Sequence, residues 1–227
     1  MSKISLKHSG GNVVSLNSPT SAPTSADVAF NLPNADGSAG QFMKTDGSGN
    51  LSFDAAGGGA VKQVKKTVVT ALESYTLTSG SGFTGSHDSS LTVTITPESA
   101  SNIIYVSAFA FGEGNTADHS RFSTRLKKVV SGGSTTYIPA AVGNRNPQFS
   151  KMGTSNVNAS NSADSFGIPN YPDTAGTTSA ITYTLQFMFD GGLSSSATYY
   201  LNRVVSDSDS TGYPNFVSWI VAMEVAP

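Results

Sequence analysis

From residue 61 to 227, apolar and polar positions alternate in short runs divided by turn residues, the pattern of antiparallel strands and not of helices. In Leu91-Thr-Val-Thr-Ile95 the odd positions face a core and the threonines face water, because successive strand side chains point to opposite sides. The pattern predicts strands centred on Val64 to Ala71, Ser74 to Thr78, Leu91 to Thr96, Ile103 to Phe111, Phe122 to Val130, Thr135 to Pro139, Ile181 to Phe189, Thr198 to Val204 and Phe216 to Val225. Strands of this number and length make an antiparallel β-sandwich, so the expected fold class is all-β. Two runs are apolar on both faces: Ile103-Ile-Tyr-Val-Ser-Ala-Phe-Ala-Phe111 and Phe216-Val-Ser-Trp-Ile-Val-Ala-Met223. A two-layer sandwich covers one face of each strand, so something further has to cover the other. A neighbouring subunit is the simplest supplier, which nominates Tyr105, Phe109, Phe111 and Trp219 as subunit contacts. The alternative cover is the long Asn-, Ser- and Pro-rich segment 141–178.

The first 55 residues read differently. Short β-like pieces at Val13 to Leu16, Val28 to Leu32, Gln41 to Lys44 and Leu51 to Phe53 are divided by Gly10-Gly11-Asn12, Asn34-Ala35-Asp36-Gly37 and Asp46-Gly47-Ser48-Gly49-Asn50. Asp-Gly and Gly-Asn pairs supply the positive φ angles of tight turns. Pro19 and Pro23, among serines and threonines, mark an extended connector. With so few large apolar side chains this part is marginal alone and is expected to fold against its own copies or a larger assembly. The small-residue run Ala55-Ala56-Gly57-Gly58-Gly59-Ala60 sets the boundaries: an N-terminal arm over 1–55, a linker over 56–60 and a head domain over 61–227.

Composition narrows the function. Only 12% of residues are charged, against roughly 25% in ordinary domains, and the formal charge is −2 with scattered cations. No basic surface for nucleic acid is expected. Lys62-Gln63-Val64-Lys65-Lys66 and Arg125-Leu126-Lys127-Lys128 read as edge or solvated strands. There is no cysteine, which excludes disulfides, thiol catalysis and Cys-based zinc sites. Met1-Ser-Lys-Ile-Ser-Leu-Lys-His8 has no apolar stretch of a secretory signal, and no apolar run approaches the ~20 residues of a membrane span. Synthesis in a cytoplasm and no membrane insertion are therefore expected.

The motifs of catalysis fail on context. Gly80-Ser-Gly-Phe-Thr-Gly85 matches the dinucleotide fingerprint, but it precedes a polar loop with His87 and Asp88 and then a strand, where cofactor binding needs a helix N-terminus. His8 stands without neighbouring ligands, and His87-Asp88 and Asp118-His119 point oppositely if extended. Asp207-Ser208-Asp209 lacks most of a calcium shell. There is no G-x-S-x-G elbow and no paired carboxylates, so no catalytic residue, cofactor or metal ligand is nominated, and the chain is expected not to be an enzyme.

The run Phe30-Asn-Leu-Pro-Asn-Ala-Asp-Gly-Ser-Ala-Gly-Gln-Phe-Met-Lys-Thr-Asp-Gly-Ser-Gly-Asn-Leu-Ser-Phe53 resembles an element of tail-fibre and structural proteins of marine bacteriophages, cyanophages among them. Tyr199-Tyr-Leu-Asn-Arg203, Ser206-Asp-Ser-Asp209 and Ser218-Trp-Ile-Val-Ala-Met-Glu-Val225 are similar to the closing strands of phage fibre-tip domains, trimeric jelly rolls of the tumour-necrosis-factor type. The resemblance implies a homotrimer on the virion surface, attached to capsid or tail proteins through the arm and displaying its heads toward a host-surface glycan or protein. In that setting the loops Gly112 to Ser120, Asn144 to Tyr171 and Asp207 to Asn215 are the candidate contact regions, with Arg145, Tyr171 and Tyr213 as candidate receptor contacts. The alternatives are a capsid decoration protein that binds no host and a virion-associated glycan-degrading spike.

Overall fold

Fifteen strands form among the residues that the computed structural model describes, which are 3–17, 20–21, 29–55, 60–78, 86–116, 121–143, 147–153, 163–189, 196–208 and 210–227. The chain is all-β and divides into two units, Met1–Gly58 and Gly59–Pro227. Of the 56–60 linker, 56–59 lie outside the described residues.

The first unit contains two hairpins. β1 (Lys3–Lys7), which lies outside the expected β-like pieces, pairs antiparallel with β2 (Val13–Asn17), and β3 (Gln41–Thr45) pairs with β4 (Leu51–Ala55). The Asp46–Asn50 turn joins the second pair. Asp46 Oδ1 accepts the amides of Ser48 and Asn50 at 2.7 and 3.1 Å, and Asn50 Nδ2 donates to Oδ2 at 2.6 Å. The Asn50 side chain, with these amides, holds the Asp46 carboxyl below its ordinary range. Gly49 has φ +92°, and a Cβ there would meet the carbonyl of Ala29 at 2.6 Å, so the position requires glycine. Of the expected strand at 28–32, Val28 lies outside the described residues, and among 29–32 there is a single bridge, between Asn31 and Asn50.

The second unit is a sandwich of two antiparallel sheets. Its strands are β5 (Val61–Val69), β6 (Glu73–Leu77), β7 (His87–Ile95), β8 (Ile103–Gly114), β9 (Phe122–Val130), β10 (Thr135–Ile138), β11 (Ser150–Lys151), β12 (Asp164–Thr174), β13 (Ile181–Phe189), β14 (Ala197–Leu201) and β15 (Ser218–Val225). The first sheet runs β10-β9-β13-β7, with β11 against β9. In the second, β5, β15, β8 and β12 lie side by side. β14 pairs with β8 at Gly112–Gly114, opposite β12, so β14 continues the line of β15 and β6 continues that of β5. Neighbours within each sheet are mostly distant in sequence, and the chain crosses repeatedly between sheets. This is a jelly roll.

The core explains where each strand sits. Inward positions of β8 read Ile104, Val106, Ala108, Ala110, Gly112 and Gly114, a series that shrinks steadily along the strand. Opposite its small end stands an aromatic cluster in which Tyr199 lies 4.5 Å from Phe187, 5.4 Å from Phe166 and 6.0 Å from Phe122. A Cβ on Gly114 would fall 2.0 Å from the Phe122 ring, and one on Gly112 1.9 Å from the carbonyl oxygen of Tyr200. At the other end Lys128 pairs with Asp173 at 2.7 Å, and Tyr183 Oη donates to Asp173 at 2.5 Å.

Two expectations need correcting. Residues 164–174, read as loop, form β12: Phe166 and Ile168 turn inward, but Pro169 and Asn170 interrupt the alternation with a bulge. Asn170 adopts φ +41°, and Ser107 Oγ donates to its Oδ1 at 2.7 Å while accepting its amide at 3.2 Å. The basic run at 125–128 lies inside a sheet, paired on both sides, not at an edge; β5, with Lys65 and Lys66 exposed, is an edge strand.

Glu224, fully buried on β15, ties this strand to β5 and to the 98–102 turn. Its carboxylate accepts from Gln63 Nε2 at 2.6 Å, Asn102 Nδ2 at 2.7 Å and the Glu98 amide at 2.7 Å. Burial raises its pKa, but these donors outweigh burial and hold it below the ordinary 4.5. A depressed folded-state pKa contributes stability that is present above about 4.5 and is lost as pH falls through the folded value. Glu224→Gln is expected to cost about 1–3 kcal/mol at neutral pH, and to flatten the acid limb of the urea midpoint measured as a function of pH.

Candidate functional site

The two outward faces of the sandwich differ in chemistry. On the first sheet the outward row is polar: Thr92 and Thr94 of β7 meet Thr184 and Thr182 of β13 at 2.8 and 2.9 Å between hydroxyls. Further along, Asp88 accepts from Gln186 Nε2 at 2.5 Å and from Lys127 Nζ at 2.6 Å. Arg125 Nε donates to Gln186 Oε1 at 2.7 Å, with its guanidinium 3.8 Å above the Tyr137 ring. Burial pushes the Asp88 carboxyl up, yet the bonds from Lys127 and Gln186 hold it below its usual range. This face is polar in character: Thr94 and Asp88 are exposed, while Arg125, Thr184 and Gln186 are buried within their hydrogen bonds.

On the second sheet two outward rows are apolar, separated by a mixed row of Lys66, Val221 and Ser107. Register places Val68, Trp219, Phe109 and Gly167 in one row across β5, β15, β8 and β12, and Val64, Met223, Tyr105 and Pro172 in another. Phe109 lies 4.8 Å from Phe111 and 6.2 Å from Trp219, and Phe111 stacks on Phe216 at 5.5 Å. Inward, the same two strands carry Ala108, Ala110, Ile220 and Ala222. Beyond Ile104 and Val106, the larger side chains of β8 point away from the core, the reverse of what a sheet with one solvated face requires. Beside Trp219 the β12 bulge shapes an apolar hollow of about 520 Å³, lined by Phe109, Gly167, Ile168 and Pro169. β12 lies in the plane of the sheet and extends this face instead of covering it.

At one margin of the apolar face the chain leaves β14 and returns to β15 through residues 202–217. Asn202, fully buried at φ +64°, knots the two ends. Its Nδ2 donates to the carbonyls of Val69 and Ala71 at 2.8 and 2.9 Å, and its Oδ1 accepts from Ser218 Oγ at 2.6 Å. Its amide donates to the Phe111 carbonyl at 2.8 Å, and its carbonyl accepts the Phe216 amide at 3.0 Å. The Val205 amide donates to the buried Glu113 Oε2 at 2.7 Å. Above this base lies a cleft of about 330 Å³ lined by Leu72, Arg203, Asp207, Ser210, Tyr213 and Asn215, among others.

The nominated contact residues fall as follows. Tyr105, Phe109, Phe111 and Trp219 are brought together on the apolar face. Tyr213 lines the cleft. Tyr171 sits half-buried on β12, edge-on to Phe149 at 5.2 Å and packed against the core, well apart in role from Tyr213. Arg145, Asp118, His119, Asp209 and the run Gly80–Gly85 lie outside the described residues. His87 and Asp88 belong to β7 itself: the His87 ring meets Tyr75 at 5.2 Å, while the Asp88 carboxylate turns to Gln186. Gly112–Gly114, expected in a loop, end β8. Val64, Val68, Phe216 and Met223 were not nominated, although the alternate apolar positions of 216–225 carried the signal for two of them. Arg203 was missed, because a lone arginine after a strand carries none.

No protein-family model matches the chain, and no curated protein matches it. Among the described residues no three His, Asp or Glu side chains gather as metal ligands.

Replacing Asn202 with Ala strands the buried Val69 carbonyl and the buried Ser218 hydroxyl, frees the partly buried Ala71 carbonyl and puts a non-Asn residue at positive φ. An expected loss of about 2–4 kcal/mol is measurable as a lowered denaturant midpoint; Asn202→Gly, which suits the backbone angle, loses less.

Proposed function

We propose that this protein is a non-enzymatic structural component of a phage virion, a tail or head fibre whose jelly-roll head assembles as a homotrimer and presents its loops to a host surface. The observation that carries the reading is the apolar outward face of the second sheet. Phe109, Phe111, Trp219, Val221, Met223 and Tyr105 run along β8 and β15, broken on β8 by Ser107 and flanked on β5 by Lys66, and a monomer would leave these half-buried apolar groups facing water. A closed threefold assembly buries the same patch on every copy while the polar first sheet stays outside. The hairpin turn at Asp46–Asn50, within the phage-like run 30–53, supports the arm as an attachment element. Copies held together give avidity from individually weak contacts. The apolar hairpin residues Ile4, Leu6 and Leu16, between 67% and 73% exposed, fit an arm that docks on other virion proteins and so also suit a decoration protein that binds no host.

Light scattering on the full chain is expected to give three times the 23.4 kDa chain mass. Trp219→Asp combined with Phe109→Ser should release folded or poorly soluble monomers, whereas Thr94→Asp on the polar face should leave the trimer intact. A monomeric wild type, or a double variant that remains trimeric, refutes this interface. Fluorescently labelled trimer that decorates host cells supports the fibre; trimer that ignores cells yet binds empty capsids supports decoration.

A further inference from the structure

We propose that the cleft over residues 203–215 is a binding site for a neutral saccharide. This deepens the host-contact reading above and rests on it for biological meaning, though not for its chemistry. The site is built before any ligand arrives: both ends of the excursion are fixed by Asn202, and Val205 is held by buried Glu113. A fixed backbone lowers the ordering cost of binding, which matters most for a weak ligand such as a sugar.

The lining supplies two kinds of contact that a sugar ring needs. Tyr213, Pro214 and the 47% exposed Leu72 offer an apolar platform for the ring's C–H face. Arg203 and Asp207, with Nη1 and Oδ2 3.5 Å apart, put N–H donors beside carboxylate acceptors, and adjacent hydroxyls on a ring both accept and donate. The Arg203 guanidinium is oriented by stacking 4.2 Å over Tyr200, so its donors are held in place. Ser208, Ser210 and Asn215 add neutral polar groups. The volume, about 330 Å³, stands at the small end of ligand pockets, roughly 300–1,000 Å³. The Arg203 and Asp207 charges offset each other across 3.5 Å, so this pair gives neither a phosphate nor a sugar acid an unopposed cation, which is why the ligand is a neutral ring.

Saturation-transfer NMR on the full chain tests this with glucose, galactose, mannose and N-acetylglucosamine, and with glucose 6-phosphate and N-acetylneuraminic acid as anionic probes. At least one neutral sugar should receive magnetisation at its ring protons. Tyr213→Ala and Asp207→Asn, each first shown to keep the wild-type melting temperature, should each cut the transfer by about fivefold or more. Transfer to none of the neutral sugars, transfer only to the anionic probes, or transfer undiminished in either variant overturns the assignment. A trimer that binds no sugar removes the cleft alone, and a monomer that binds sugar removes the trimer alone, so the two readings fail separately.

Discussion

The structure depends on the taper of β8. From Ile104 to Gly114 its inward side chains shrink to nothing, and the space they vacate is filled from the opposite sheet and its neighbours by Phe122, Phe166, Phe187 and Tyr199. Aromatic rings supply large buried area and pair in tilted geometries worth about 0.5–1.5 kcal/mol each beyond that area. They fit only because the strand facing them has no side chain there: the Phe122 ring occupies the position a Cβ on Gly114 would need. One end of the sandwich is thus packed by rings against bare backbone, and the other by branched aliphatic residues with the Lys128–Asp173–Tyr183 group closing it.

The taper has a consequence on the other side of the same strand. Where the inside is small, beside Ala108 and Ala110, bulk stands outside as Phe109 and Phe111, and on β15 Ile220 and Ala222 face inward against Trp219 and Met223 outward. At roughly 25 cal/mol per Å² of apolar area removed from water, leaving such a row of aromatic rings half-covered forgoes several kcal/mol. The first sheet is polar at the equivalent outward positions, with its threonine pairs and its Asp88–Gln186–Arg125 row, in which Gln186 and Arg125 are buried but hydrogen-bonded. The asymmetry between the two faces therefore belongs to the design of the fold.

Much of this was legible in the chain. Alternation placed nearly every strand of the sandwich, and the loss of alternation in 103–111 and 216–223 singled out the two strands that carry aromatic rings on their outward face. What escaped were features that depend on distant residues. β12 was hidden because Pro169 and Asn170 look like loop until Ser107 is seen to cap the bulge. Arg125 looked solvated because its partners, Gln186 and Tyr137, lie on strands separated from it in sequence. The arm was legible at its turns, where local Asx bonds decide the geometry, and less so at Lys3–Lys7, whose pairing depends on register with β2.

The cleft and the apolar face share a scaffold. The Phe111 amide donates to Ser218 Oγ, Ser218 Oγ donates to Asn202 Oδ1, and Asn202 returns a bond to the Phe111 carbonyl, so a residue of the aromatic row and the root of the 202–217 excursion form one closed hydrogen-bonded unit. Every polar group of Asn202 is spent in it. A buried network that is fully satisfied permits little adjustment, because each displacement strands a donor or acceptor. The excursion therefore cannot swing independently of the end of β8 that bears Phe111. In a threefold assembly built on that face, three clefts would be held at fixed spacing by the same contacts that hold the subunits, which converts three weak sites into one multivalent surface without any contact between the clefts themselves.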